Sequence, residues 1–172
     1  YSKLDLNQMT FEKENVNIGK YIESCIEDCS EDFIRENKSI IFENKLTASY
    51  YVIIDIAKFK RVVQNILDNA KRNIETKTGQ LKIILRETNT SVIIEFKDNG
   101  NGIKAIDLPH VFDRFYRADT AREVMGSSGL GLAISKQIIE GLNGRIWAVS
   151  ENGQGASIII SLKKNKKEEV IK

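Results

Sequence analysis

Three amphipathic helical segments alternate with short apolar strand segments along this chain, and the alternation limits the folds open to it. Apolar residues recur at helical spacing over residues 17–37, 57–74 and 132–142. In the second segment the apolar stripe consists of Phe59, Val62, Val63, Ile66, Leu67, Ala70 and Ile74. A helix with one apolar side must bury that side against another element. We therefore expect helices packed as a layer on a sheet.

Six segments have the length and composition of β-strands. They are residues 39–43, 50–55, 80–87, 91–98, 145–150 and 156–162. Short polar or glycine-rich turns separate the third from the fourth and the fifth from the sixth, so each of these pairs predicts an antiparallel hairpin. Together with the interleaved helices, this pattern favours an α/β two-layer sandwich, in which a mixed, mostly antiparallel sheet of about five strands is covered on one face by three helices.

Size and charge exclude several classes of protein. A chain of 172 residues is long enough for one compact domain with a sizeable core. The 26 basic and 24 acidic residues leave a net charge of +2, which provides no field for holding nucleic acid. The apolar runs are too short to span a bilayer, and no apolar signal segment opens the chain. The start without Met predicts a fragment of a longer protein.

Cys25 and Cys29 are the only cysteines. They share helical spacing with Ile22, Ile26 and Phe33, which is the pattern of a buried helix face. A metal site needs further ligands, and the chain has a single His. We interpret both residues as core thiols of a reducing compartment.

The segment Asp98-Asn99-Gly100-Asn101-Gly102 follows a predicted strand. Asn-Gly at such a place is a strong hairpin signal, yet no alternating strand comes next. A carboxylate is only an acceptor, so Asp98 can instead pair with the exocyclic amino group of adenine and is repelled by the carbonyl of guanine. Glycines let the backbone approach a planar base closely.

A second glycine-rich segment, Gly126-Ser127-Ser128-Gly129-Leu130-Gly131-Leu132, leads into the third helix. Backbone N–H groups at such a helix start suit phosphates. The spacing matches neither a P-loop nor a dinucleotide-binding fingerprint, and a flexible linker is the alternative.

On the second helix, Asn65, Asn69 and Arg72 share the face opposite the apolar stripe. Such a face is ordinarily just solvated. Asn is nevertheless a poor choice for a solvated helix, and its carbonyl can bind Mg²⁺ beside phosphates without adding negative charge.

Taken together, these motifs resemble the histidine-kinase branch of the ATPase superfamily that includes DNA gyrase, the ninety-kilodalton heat-shock protein and MutL. The resemblance covers about residues 16–163 and implies the Bergerat ATP-binding fold. Four boxes occur in the family's order, followed by a third glycine motif: Asn65-Ile66-Leu67-Asp68-Asn69-Ala70, Asp98-Asn99-Gly100-Asn101-Gly102-Ile103, Val111-Phe112-Asp113-Arg114-Phe115-Tyr116-Arg117, Gly129-Leu130-Gly131-Leu132-Ala133-Ile134 and Gly153-Gln154-Gly155-Ala156.

The resemblance implies a role for each matching position. Asn69 would bind Mg²⁺, Asp98 the adenine amino group, Gly129 and Gly131 the phosphates, and Arg117 the γ-phosphate. The nucleotide-binding set is Asn65, Asn69, Arg72, Asn73, Asp98, Gly100, Gly102, Ile103, Gly129, Leu130, Gly131 and Leu132. Asn69 and Arg117 would be the catalytic residues, and a mobile ATP lid would extend over residues 112–128.

The residue type at position 65 distinguishes phosphotransfer from ATP hydrolysis in the family that the chain resembles. The gyrase-like relatives carry Glu four residues before the Mg²⁺-binding Asn, and that Glu activates water. Asn65 cannot act as a base, so the resemblance implies phosphotransfer rather than hydrolysis. A hydrolase and a degenerate interaction module remain as alternatives.

Three positions depart from the family pattern. Arg72 stands where Lys is usual and keeps the charge, whereas Asn73 stands where Tyr is usual and lacks the ring. Ala156 stands in the third glycine motif where Thr is common. We expect an intact pocket of modest affinity.

A histidine kinase of this kind also needs a histidine that accepts the phosphoryl group. His110 lacks the acidic neighbour of a phosphoacceptor box, so we interpret it as structural or incidental. The resemblance places the acceptor on dimerisation helices before Tyr1, with residues 1–15 as linker, 16–163 as catalytic domain and 164–172 as a charged tail. We expect ATP and Mg²⁺ as ligands, a response regulator as partner, no nucleic acid, and a monomeric cytoplasmic fragment of a homodimeric, membrane-anchored sensor kinase.

Overall fold

The fold of the protein was described from a computed structural model, which covers residues 9–74, 79–116, 131–150 and 154–166. The helices are α1 (Ile18–Arg35), α2 (Ile56–Asn73) and α3 (Gly131–Gly141). The strands are β1 (Glu14–Asn17), β2 (Ser39–Asn44), β3 (Tyr51–Ile54), β4 (Gln80–Glu87), β5 (Ser91–Asp98), β6 (Arg145–Ser150) and β7 (Ala156–Lys163). None of the described helices is long and apolar enough to cross a membrane.

The main sheet has five strands in the order β2-β4-β5-β7-β6. The β2–β4 pair is parallel and the other three pairs are antiparallel. The predicted mixed, mostly antiparallel sheet and both predicted hairpins are confirmed. The strand that follows β5 along the chain is β6, which pairs with β7 alone. Asn99-Gly100 is therefore not the turn of a hairpin.

The core lies between one face of this sheet and the helices. Alternate residues of the central strands, such as Val92, Ile94 and Ile160, are completely buried. The apolar stripe predicted for α2 is buried along its whole length. Because each fully buried large aliphatic or aromatic side chain contributes about 1.5–3 kcal/mol, α2 is a major source of stability. The opposite face of the sheet carries polar side chains at the same period, such as Lys97 and the ion pair between Arg86 and Glu95.

A strand that the sequence did not predict lies at the amino-terminal side. β1 pairs antiparallel with β3 in a separate two-stranded sheet. Ahead of it, Phe11 packs on the core, and the Glu12 N–H donates to the Asp55 carboxylate at 2.9 Å. Residues 9–15, which were expected to be linker, thus contact the rest of the domain through Phe11 and Glu12.

The helix ends follow capping rules. Asn17 and Asp55 cap α1 and α2, where their side chains accept N–H groups of the first turn at 3.2 and 3.0 Å. At the end of α3, it is Asn143 that adopts the left-handed backbone, with φ of 60°. Gly144 instead passes close to β7, where a Cβ atom would lie 2.8 Å from the Ser161 carbonyl oxygen.

The two cysteines are free thiols on α1. Cys25 is buried, Cys29 is half-buried, and burial raises the pKa of both thiols. The predicted buried position is confirmed for Cys25, whereas Cys29 is only partly buried against the core.

A polar cluster secures the end of β4 to the loop between β2 and β3. The Glu87 carboxylate accepts from the Thr47 N–H at 2.8 Å, from the Thr47 hydroxyl at 2.7 Å and from Lys164 Nζ at 2.9 Å. Lys164 also lies 4.1 Å above the ring of Tyr50. Hydrogen bonds from Tyr50 and Thr47, with Lys164, lower the pKa of Glu87 to about 2.

We expect Glu87→Gln to lower the free energy of unfolding at neutral pH. A carboxyl group whose pKa is lowered in the folded state stabilises the fold above its unfolded pKa of about 4.3, and this contribution disappears as pH falls to about 2. The difference in the free energy of unfolding between wild type and Glu87→Gln, measured by urea titration, should therefore shrink as pH falls through that interval. Glu23→Gln, at an exposed position of α1, is the control. A pH-independent difference would contradict this assignment.

Candidate functional site

The motifs singled out in the sequence meet around the second half of α2. The loop after β5 touches the end of this helix, since a Cβ atom on Gly100 would lie 2.1 Å from the Asn73 carbonyl oxygen. The first turn of α3 touches its middle, where Asn65 Nδ2 donates to the Gly131 carbonyl at 3.0 Å. The same helix thus contacts the loop after β5 and Gly131, the first residue of α3.

Asp98, the last residue of β5, is a buried carboxylate with only 7% of its surface exposed. Its Oδ1 accepts the N–H of Gly100 at 3.0 Å and the N–H of Ala156 at 3.2 Å. Both bonds fall on one oxygen, and no described residue donates a hydrogen bond to Oδ2. Burial raises the pKa of Asp98, although the two N–H groups oppose this shift.

Close backbone approach explains two of the glycines around Asp98. Gly100 lies against the end of α2, and Gly155 has φ of +89° with its Cβ position 2.0 Å from the Asp98 carbonyl oxygen. No other residue type fits either place without moving the backbone. Gly102 adopts φ of 77°, which also favours glycine.

Ser150 connects the two loops, and the sequence analysis did not identify it. Its Oγ accepts the N–H of Ile103 at 2.7 Å and donates to the Gly155 carbonyl at 3.0 Å. A serine at a strand end is common, so the sequence carried no signal for this role.

The side chains on the polar face of α2 differ in their exposure. Asn65 and Asn69 are half-buried, whereas Arg72 and Asn73 expose their side chains. Asn65 Nδ2 also lies 3.4 Å from the hydroxyl of Ser135, a completely buried residue that the sequence analysis missed. Within the described residues no hydrogen bond engages the Asn69 amide.

Residues around the start of the predicted lid form a local cluster. His110 Nδ1 lies 2.8 Å from Asp113 Oδ2, and the ring of Tyr116 lies 5.1 Å from the His110 ring. The Tyr116 hydroxyl donates to Asp107, and Phe112 packs on the core. These contacts are consistent with a structural role for His110.

Several predicted site residues lie outside the described part of the chain. These are Arg117, Gly129 and Leu130, together with most of the lid predicted for residues 112–128. Gly131 opens α3, and Leu132 is half-buried against the core.

Comparison with known sequences identifies relatives of this arrangement. Residues 54–166 match the family described as histidine kinase-, DNA gyrase B- and HSP90-like ATPase. The sensor protein kinase WalK of Staphylococcus haemolyticus is 39% identical over 94% of this chain. WalK of Staphylococcus saprophyticus is likewise 39% identical over 94% of the chain. The chain spans only 26% of the length of each of these relatives.

Solved structures of histidine kinases share the fold. A mycobacterial sensor histidine kinase, MprB, superposes with a TM-score of 0.75 at 28% identity, over 90% of this chain and all of that one. The catalytic domain of histidine kinase ThkA, in a nucleotide-free form, superposes with a TM-score of 0.76 at 24% identity, over 90% of this chain and 99% of that one. The second likeness concerns the fold alone.

We expect Gly100→Ala to destabilise the protein, whereas Gly131→Ala should not. The added methyl group at position 100 would overlap the Asn73 carbonyl and cost about 1–3 kcal/mol. At position 131 the methyl group would meet Asn65 at an ordinary 3.6 Å, and helix propensity favours Ala by up to about 1 kcal/mol. Urea unfolding of both variants measures the difference. Equal stability would show that the loop after β5 does not press on α2.

Proposed function

The chain belongs to the histidine kinase-, DNA gyrase B- and HSP90-like ATPase family, and from this premise we propose that its site binds Mg·ATP and donates the γ-phosphoryl group to a histidine. The observation that carries the proposal is that the loop after β5 and Gly131, the first residue of α3, both contact α2. This arrangement offers a base-recognition end and a phosphate end across one helix.

At the base end, Asp98 would recognise adenine. The two N–H groups on Oδ1 fix the carboxylate and leave Oδ2 to accept the exocyclic amino group. Gly100, Gly102 and Ile103 would line the base, and Asn73 would lie at its edge without the ring that the family usually has there. Ala156 lacks the usual hydroxyl, yet it contacts Asp98 through its backbone N–H, which the substitution preserves.

At the phosphate end, the chemistry of the donors fits a magnesium ion and phosphates. The Asn69 amide, half-buried and without a hydrogen bond from the described residues, would supply a neutral oxygen ligand to Mg²⁺. The bound ion would neutralise charge that develops on the phosphates. Gly129 and Gly131, with Leu130 and Leu132 between and after them, would present backbone N–H groups, and Arg72 and Arg117 would add positive charge.

Phosphotransfer is favoured over hydrolysis by Asn65. An amide does not accept a proton from water, and here its Nδ2 is engaged with Gly131 and Ser135. The acceptor imidazole is itself a nucleophile, so the domain has to position the phosphate and stabilise its charge.

The proposal extends to the whole protein. The acceptor histidine would lie on dimerisation helices outside this chain, and the phosphoryl group would pass to a response regulator. The parent would be a homodimer anchored in the membrane, with this domain on the cytoplasmic side and its lid, residues 112–128, closing over the nucleotide.

We expect Asp98→Asn to weaken ATP binding without weakening the fold. A charge-assisted hydrogen bond contributes about 1.5–3 kcal/mol, so affinity should fall at least about tenfold. Because the pKa of Asp98 is raised in the folded state, its ionised form opposes folding at neutral pH, and the neutral amide removes that cost. Calorimetric titration and thermal unfolding measure the two effects, with exposed Asp32→Asn as control. Unchanged affinity would mean that the base binds elsewhere.

Titration with a non-hydrolysable ATP analogue should show an affinity that Mg²⁺ increases. Asn69→Ala should remove most of that increase, whereas Gln64→Ala, an amide on the same helix, should keep it. No binding at millimolar analogue would contradict both catalytic interpretations. Steady phosphate release by the isolated chain, abolished by Asn65→Ala, would favour a hydrolase instead.

A further inference from the structure

The hydroxyl of Ser150 bridges two backbone segments at the end of the sheet. Ser150 is the last residue of β6 and pairs with Ala156 of β7. Its Oγ accepts the Ile103 N–H at 2.7 Å and donates to the Gly155 carbonyl at 3.0 Å. One hydroxyl proton and its lone pairs satisfy both bonds at once.

The two bridged segments are those that hold Asp98. The loop after β5 supplies the Gly100 N–H, and the residue after Gly155 supplies the Ala156 N–H, at 3.0 and 3.2 Å from the same carboxylate oxygen. Ser150 therefore closes a ring of hydrogen bonds that begins and ends on Asp98.

We propose that Ser150 is a positioning residue for recognition of the ligand's amino group. Its hydroxyl keeps the loop after β5 and the turn before β7 at the separation that directs both N–H groups to Oδ1 and leaves Oδ2 for the base. Ser150 itself does not touch the nucleotide. This inference rests on the proposed binding of adenine by Asp98.

Removing the hydroxyl would act on geometry more than on stability. Ser150 is half-buried, so water can reach the freed Ile103 N–H and Gly155 carbonyl. Water does not hold the two segments at a fixed distance, however, and the Asp98 carboxylate would then turn away from its best orientation. The bond to the amino group should weaken, while contacts to the rest of the nucleotide persist.

The test compares ATP with purine riboside triphosphate, which lacks only the 6-amino group. Calorimetric titrations with Mg²⁺ would use the wild-type chain, Ser150→Ala, Asp98→Asn and the control Ser161→Ala, a half-buried serine of β7. Wild type and Ser161→Ala should prefer ATP by about tenfold or more. Ser150→Ala should lose most of that preference, with affinity for the purine analogue unchanged and thermal unfolding close to that of the control.

Two outcomes would overturn the role of Ser150. In the first, Ser150→Ala keeps the full preference for ATP. In the second, the substitution weakens the binding of both nucleotides equally, as expected of a purely structural serine. If Asp98→Asn loses the preference while Ser150→Ala keeps it, only the inference on Ser150 fails. If Asp98→Asn also keeps the preference, the proposed base contact is wrong and the role of Ser150 falls with it.

Discussion

The buried carboxylate of Asp98 is the constraint on which this end of the molecule depends. A carboxylate removed from water destabilises the fold unless hydrogen bonds compensate it. Here the two N–H groups come from segments far apart in the chain, the loop after β5 and the start of β7. One side chain thereby ties the loop that follows β5 to the start of β7. A carboxylate whose burial opposes folding is typical of a functional site, which supports the base contact proposed for Asp98.

The second helix couples the core to the site. Its apolar stripe fills the space under the sheet, and its polar face carries Asn65 and Asn69. Because the helix is fixed by its buried side, its polar face is also fixed, and Gly100 and Gly131 both lie against the helix. Rigid support of this kind is what a site needs if it is to hold a triphosphate in one orientation.

The sequence predicted those features that local patterns encode. Strands β4 and β5 were located correctly because alternating apolar residues and polar ends mark them, and α2 because its stripe is long and continuous. Strand β1 was missed because its residues show no period and its partner β3 lies far along the chain. The bridge formed by Ser150 depends on three segments that only the fold brings together. For the same reason, no sequence pattern indicated that Asn65 contacts Gly131.

This last contact bears on how the two branches of the family differ. The Asn65 amide donates to the Gly131 carbonyl, which is an acceptor. A glutamate at this position would place a carboxylate near that carbonyl, and two acceptors repel each other. The amide therefore has two consequences: it removes a possible base, and it fits the packing of α2 against α3. An Asn65→Glu change would also remove the hydrogen bond between α2 and the first turn of α3. Under the proposed phosphotransfer, Asn65 thus offers no base to water and at the same time supports the packing of α2 against α3.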